Sequence, residues 1–331
     1  MLDIDRGGRL GGLWRFRAAM AFGLALATGA TAETVFVSDE ELDVVHVIDG
    51  TTFEPVGRIA VGKRPRGVSL SSDGKQLLVA VSDDNRIGVV DLASRKLVRS
   101  VPSGPDPERF AVSPDGRTFY VANEDDARVS FIDAASGRLL REVEVGPEPE
   151  GIGISPDGRW VAATSEAASL VHLIDTRDGR LVDSKMVGTR PRDVLFTPDG
   201  RQFWVSSELR STISVFDTAS RRELHVIDLE DADPPENVQA VQMAMTHDGT
   251  RAFVALGRGN HVAEIDPKTY RVVRYFPVGF RNWGLALSPD ERHLYAANGL
   301  SGDLSVIDLR ANRTIRTIKL GGRPWGVAVA P

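Results

Sequence analysis

Apolar and β-branched residues in this chain occur in short runs of four to six, alternating with polar positions or continuous, and each run stops at Gly, Asp or Pro. Phe119 to Asn123 (FYVAN), Arg128 to Asp133 (RVSFID) and Leu139 to Val145 (LLREVEV) are typical. After residue 32 no stretch keeps the 3.6-residue period of an amphipathic helix. The pattern predicts short strands separated by tight turns.

The runs recur at a fixed interval. The aspartates that close the V-I-D-like runs are Asp49, Asp91, Asp133, Asp175, Asp217, Asp266 and Asp308, spaced 42, 42, 42, 42, 49 and 42. The S-x-D-G turns run through Asp73, Asp115, Asp157, Asp199, Asp248 and Asp290 and report the same insertion of seven residues, within Leu229 to Ala240. Seven units, each with room for four short antiparallel strands, predict an all-β fold, a seven-bladed β-propeller. The sequence from Thr34 opens on a second-strand pattern (TVFVS), and Trp325 to Ala330 (WGVAVA) reads as a first strand. The N- and C-terminal strands are therefore expected to pair within one blade and close the ring, which removes the open sheet edges of a linear array. Seven units and the insertion need about 300 residues and 299 follow Ala32, so residues 33–331 are expected to form a single propeller domain.

The segment before it has a different character. Arg6, Arg9, Arg15 and Arg17 precede the apolar run Ala18 to Ala30, which is too short to span a bilayer and ends in Ala30-Thr31-Ala32. This is the pattern of a secretory signal peptide over residues 1–32, with no membrane span left after cleavage. Its loss, with four Arg and two Asp, takes the formal charge from −6 to −8. An acidic exported chain makes nucleic-acid binding a poor expectation. The complete lack of Cys excludes disulfides, thiolate metal sites, a Cys nucleophile and C-x-x-C-H haem attachment. The six histidines share no repeat position, so no metal site is expected from them.

Residues that serve every copy are expected to be structural. The thirteen marker aspartates belong to turns, where the side chain bonds nearby backbone N–H groups. The strand aromatics Phe119, Tyr120, Trp160, Phe203, Trp204, Phe253 and Tyr295 read as packing between blades. Variety is concentrated instead in the segments expected to join one blade's outermost strand to the next blade's innermost strand. These are KRPRG (63–67), PDPER (105–109), PEPEG (147–151), TRPRD (189–193), VQAVQ (238–242), FRNWG (280–284) and GRPWG (322–326). Propeller geometry gathers them around one mouth of the central channel. They present Arg64, Arg66, Glu108, Arg109, Glu148, Glu150, Arg190, Arg192, Gln242, Arg281, Trp283, Arg323 and Trp325 as the candidate ligand-binding set. Arginine forks suit carboxylates and Trp offers a stacking face, so the ring is expected to take a small anionic or aromatic ligand. The competing expectation is that Glu148, Glu150, Arg190 and Arg192 pair with one another across the mouth. The neighbouring loops 40–43, 83–86 and 124–127 add an acidic rim that matches no calcium-loop spacing.

FYVAN (119–123), LYAAN (294–298) and the linked V-I-D, V-G and S-P-D-G elements resemble the YVTN-type β-propeller repeat, over 34–331. The exported seven-repeat chain further resembles the β-propeller proteins associated with pyrroloquinoline quinone (PQQ) dependent catabolism in Gram-negative bacteria. That resemblance implies a non-enzymatic periplasmic accessory of PQQ-dependent alcohol oxidation. Its partners would be a quinoprotein dehydrogenase, a c-type cytochrome or a transporter component, and PQQ itself would be a ligand for Arg190, Arg192, Arg281 and Arg323 with stacking on Trp283 or Trp325. Related seven-bladed propellers carry lactonase activity, which gives the alternative: a hydrolase with Glu148 or Glu150 as base and Arg190 as its electrostatic partner.

Overall fold

The computed structural model describes residues 33–231 and 233–331, so the signal peptide expected over 1–32 lies outside the described residues. The alternating runs form twenty-eight strands in seven four-stranded antiparallel sheets arranged as blades of a ring. The first blade is built by β28 (Pro324–Ala330), β1 (Thr34–Asp39), β2 (Val44–Asp49) and β3 (Pro55–Ala60), in that order from the axis outward. Thr34 pairs with Ala330 and Val35 with Val329, the ring closure the terminal patterns predict. The innermost strands of the other blades are β4 (Pro65–Leu70), β8 (Pro107–Val112), β12 (Ile152–Ile154), β16 (Pro191–Phe196), β20 (Met243–Met245) and β24 (Asn282–Leu287). Among the described residues no helix is long and apolar enough to cross a membrane.

Period-two alternation puts apolar side chains on both faces of the middle strands, and each face packs on the neighbouring blade. Phe36, Val45 and Val47 of the first blade meet Leu77, Val79 and Val81 of the second. Val35, Val37 and Ile48, on the opposite face, meet Tyr295, Leu304 and Val306 of the seventh. Phe119, Tyr120, Phe203, Trp204, Phe253 and Tyr295 lie buried in such clusters between blades, and Trp160 is a half-buried exception beneath Arg159 and Arg221.

All thirteen marker aspartates sit on the face of the ring away from the joining segments, where each accepts a backbone N–H in its turn. The insertion falls between β19 (Glu223–Asp228) and β20 and adds no strand. It is tied down by Leu229, Val238 and Ala240 in the core and by Tyr275, whose hydroxyl donates to the carbonyls of Leu229 and Asp231.

Candidate functional site

The joining segments are shorter than the sequence spacing suggests, because Pro65, Pro107, Pro191 and Pro324 already open innermost strands. Ahead of five innermost strands stands a non-glycine residue in the left-handed region: Arg64, Asp106, Glu148, Arg190 and Arg281, at φ between 44° and 60°. Such residues persist where neighbours hold them. The Arg64 N–H is held by Asp43 at 2.9 Å, that of Asp106 by Asn85 at 3.0 Å and that of Arg281 by Asn260 at 2.9 Å. Their carbonyls accept the N–H of the residue that opens the loop between second and third strands in the same blade. Glu124 donates to Asp106, Glu166 to Glu148 and Glu208 to Arg190, at 2.8 to 3.1 Å. This bond brings a loop glutamate beside the joining segment in three successive blades.

The side chains at the mouth then form two clusters. In the first, Arg64 bonds Asp83, Asp106 and Glu108 at 2.9 to 3.1 Å, while Arg66 bonds Glu40 at 3.1 Å and makes a short contact with Glu108. Carboxylate oxygens of Asp106, Glu108 and Glu124 converge within 4.8 Å of one another. Burial is the strongest influence on Glu108 and works to raise it, but Arg66, a bond to Glu124 and Arg64 together outweigh it, and its carboxyl stays below the usual range. Glu124 moves the other way and is pushed up to about 8, by its own burial and by sharing a hydrogen bond with the charged Glu108. The two carboxyls titrate as a pair, with Glu124 the member shifted upward and Glu108 the one shifted downward.

In the second cluster Arg192 meets Glu150 at 2.5 Å, makes a short contact with Glu166 and lies 3.5 Å from Glu208. Arg190 bonds Glu166 at 2.7 Å and Glu208 at 3.3 Å, and Arg281 reaches Glu208 at 3.3 Å and Gln239 at 3.1 Å. Glu150 is fully buried, and desolvation together with Glu166 raises its carboxyl well above the usual range despite Arg192. Arg281, also desolvated, is shifted downward.

The thirteen sequence-predicted residues are thus divided. Arg64, Arg66 and Glu108 meet in the first cluster, and Glu150, Arg190, Arg192 and Arg281 in the second. Of the expected pairing across the mouth, Arg192 does meet Glu150, but Glu148 is exposed and takes no part, and both arginines also bind Glu166 and Glu208. Trp283 is half-buried beneath Arg281, 4.2 Å from the ring centroid, and Arg192 at 5.2 Å. Trp325 is 2% exposed, with Arg109 at 4.6 Å and Arg66 at 5.7 Å, so both indole faces expected for stacking are engaged with guanidinium groups. Arg323 stands apart at the rim, 3.5 Å from Glu41. Arg109 and Gln242 lie deeper, lining an axial cavity of about 200 Å³ together with Asp193.

Glu124, Glu166 and Glu208 are working parts of these clusters, and Asp193 of the axial cavity, that the predicted set of thirteen does not contain. The signal existed: Glu40, Glu124, Glu166 and Glu208 occupy one repeat position, at multiples of 42 residues.

The sequence model of the lactonase family, a 7-bladed β-propeller, matches residues 152–313, and that of the cytochrome D1 haem domain matches residues 108–195. No curated protein matches the chain. Among solved structures, the periplasmic gluconolactonase of Pseudomonas aeruginosa is 22% identical, with a TM-score of 0.75, covering 91% of this chain and 99% of that one. A Bacteroides fragilis protein assigned as a 6-phosphogluconolactonase is 17% identical (TM-score 0.76; 92% of this chain, 99% of that one). The hydrazine synthase of Kuenenia stuttgartiensis is 24% identical (TM-score 0.73; 83% and 92%). Likeness at this identity establishes the fold, and function has to be argued from the site. A haem does not suit the axis, since the cavity there is only about 200 Å³.

Proposed function

We propose that the protein is a lactonase-like hydrolase whose working groups are Glu124, Glu108 and Arg66. The observation that carries this reading is Glu124, a half-buried carboxyl pushed up to about 8 by burial and by Glu108, with the Arg66 guanidinium close enough to oppose that shift. The match of residues 152–313 to the lactonase family supports the class of activity, and the three working groups lie outside the matched residues. Opening a lactone with water needs a base of pKa near the working pH and a cation where the carbonyl oxygen becomes negative. In the proposed step, ionised Glu124 takes a proton from water as the water oxygen bonds to the lactone carbonyl. The ring C–O bond breaks, and Glu124 returns the proton to the departing alkoxide. Arg66 has Nε on Glu40 and Nη1 on Glu108, leaving Nη2 for the developing oxyanion. Glu150 is a poorer base than Glu124, because it is fully buried and holds its proton against Glu166.

The test is a pH-stat assay on a panel of aldonolactones, with spontaneous opening subtracted. Wild type should show kcat/KM rising to a plateau through an apparent pKa near 8, and Glu124→Gln should lose roughly 10²- to 10⁴-fold. A folded wild type that opens no lactone faster than buffer ends the reading.

A second reading, an exported periplasmic binding protein accessory to PQQ-dependent alcohol oxidation, is supported by one sector of the mouth. Phe280 and Leu300, each 62% exposed, stand beside Arg258 and Arg281 around a depression of about 310 Å³, a surface suited to an acidic partner or an aromatic polycarboxylate. PQQ at Arg190, Arg192 and Arg281 would have to displace Glu166 and Glu208, which is why this reading ranks second. Quenching of Trp283 fluorescence by micromolar PQQ would promote it, and an unchanged spectrum would remove PQQ.

A further inference from the structure

One position of the innermost strand follows the 42-residue rule and yet breaks its own composition. It reads Gly67, Arg109, Gly151, Asp193, Gln242, Gly284 and Gly326 around the ring. At the four glycines the chain runs against the next blade. An added Cβ would lie 2.9 Å from the Glu108 carbonyl oxygen at Gly67, 2.8 Å from that of Arg192 at Gly151 and 2.7 Å from that of Arg66 at Gly326, and closer still to that of Trp325 at Gly284. Packing therefore favours glycine here, and the three departures place an Arg, an Asp and a Gln around the axial cavity.

Of the three, Arg109 is poorly explained by stability. Arg109 is 7% exposed, its Nη1 lies 3.8 Å from Asp193 Oδ1, and its Nε and Nη2 are buried without any hydrogen-bond partner. Leaving a buried charged donor unpaired is costly. Nε and Nη2 form one edge of the guanidinium, the edge that receives the two oxygens of a carboxylate side by side. Asp193 is buried and accepts the Met243 N–H at 2.8 Å, and the Gln242 amide oxygen accepts the Leu285 N–H at 3.1 Å. Desolvation raises the Asp193 carboxyl, which favours its acting as a donor within the cavity.

We propose that the axial cavity is a binding site for a short hydroxycarboxylate, with its carboxylate on Nε and Nη2 of Arg109 and its hydroxyl facing Asp193 and Gln242. At roughly 30 Å³ for each water-sized unit, the cavity has room for a ligand of about two to four carbons. This site does not rest on hydrolysis at the mouth. Its occupancy has an optical reporter, since Trp325 lies within 4.6 Å of the Arg109 guanidinium.

The experiment is calorimetric titration of residues 33–331 with glycolate, acetate and inorganic phosphate, with Trp325 fluorescence followed in parallel. Glycolate should bind saturably at millimolar concentration, acetate more weakly and phosphate least. Arg109→Met should lose glycolate binding, and Arg109→Lys, which keeps the charge but removes the fork, should weaken it about tenfold if the Met variant fails to fold. Asp193→Asn should weaken glycolate more than acetate. Glu124→Gln should bind glycolate as wild type does, so failure of the hydrolase reading leaves this one standing. Absence of saturable glycolate binding to folded wild type, equal binding by the Arg109 variants, or a preference for phosphate would each overturn the proposal.

Discussion

The two faces of the ring use the same functional group in opposite ways. On the turn face, aspartates are given donors: Asp91 receives the Ser94 hydroxyl and N–H, Asp248 receives the Thr246 hydroxyl with Thr250, and both carboxyls fall, that of Asp248 to about 2. All thirteen marker aspartates shift in this direction. At the mouth, Glu124 and Glu150 are buried beside other carboxyls and both rise. The turn arrangement repeats in every blade because it satisfies backbone locally. The mouth arrangement differs from blade to blade because its charges are balanced only by partners in neighbouring blades. Repetition marks what the fold needs, and departure from repetition marks where a site can be built.

The sharpest way to break this contrast is to remove the cation that balances the second cluster. Arg192→Leu leaves Glu150, Glu166 and Glu208 without their buried partner and is expected to cost about 3–5 kcal/mol in urea unfolding. Next comes the glycine rule of the innermost strand. Gly151→Ala puts a methyl 2.8 Å from the Arg192 carbonyl oxygen and should cost about 1–3 kcal/mol, measured the same way.

The two faces should also respond oppositely to pH. Glu124 holds its proton up to about 8 when folded but releases it near the ordinary 4.5 when unfolded. Between those values the folded chain binds more protons, so its contribution is present at low pH and is lost as pH rises through 8. Thermal scans from pH 6 to 9 should show Tm falling, and Glu124→Gln should flatten that slope. The turn aspartates act in the reverse sense: their contribution is present above their ordinary value of 3.8 and is lost as pH falls toward about 2 at Asp248. The smallest effect belongs to a single turn. Asp199→Asn, in a largely exposed S-x-D-G-type turn, should change stability by no more than roughly 0.5 kcal/mol, because the amide oxygen can still accept the Arg201 N–H.

The blade count, the insertion and the closure between Thr34 and Ala330 were legible in the sequence because each depends on local chemistry repeated many times. The mouth was legible only in outline. Arg66 and Glu108 stood out as variable residues in a constant frame, but their pairing is set by blades meeting around an axis, which no local pattern records. Glu166 and Glu208 hid in plain periodicity, as glutamates at the position of Glu40 and Glu124. Asp193 was obscured by its neighbour: Arg192 turns to the mouth clusters while Asp193, one residue on along the strand, lines the axial cavity.

The first blade has a consequence for the lifetime of the folded state. β1 and β28 bring together residues almost as far apart as the described chain allows, so their pairing carries the largest loop-closure entropy in the molecule. Such contacts form late, and interactions absent from the folding transition state chiefly slow unfolding. That strand pair therefore works as a latch: weakening it, for instance at Val327, should shorten the folded half-life more than it slows folding, and the amides of β1 and β28 should report ring opening in hydrogen exchange.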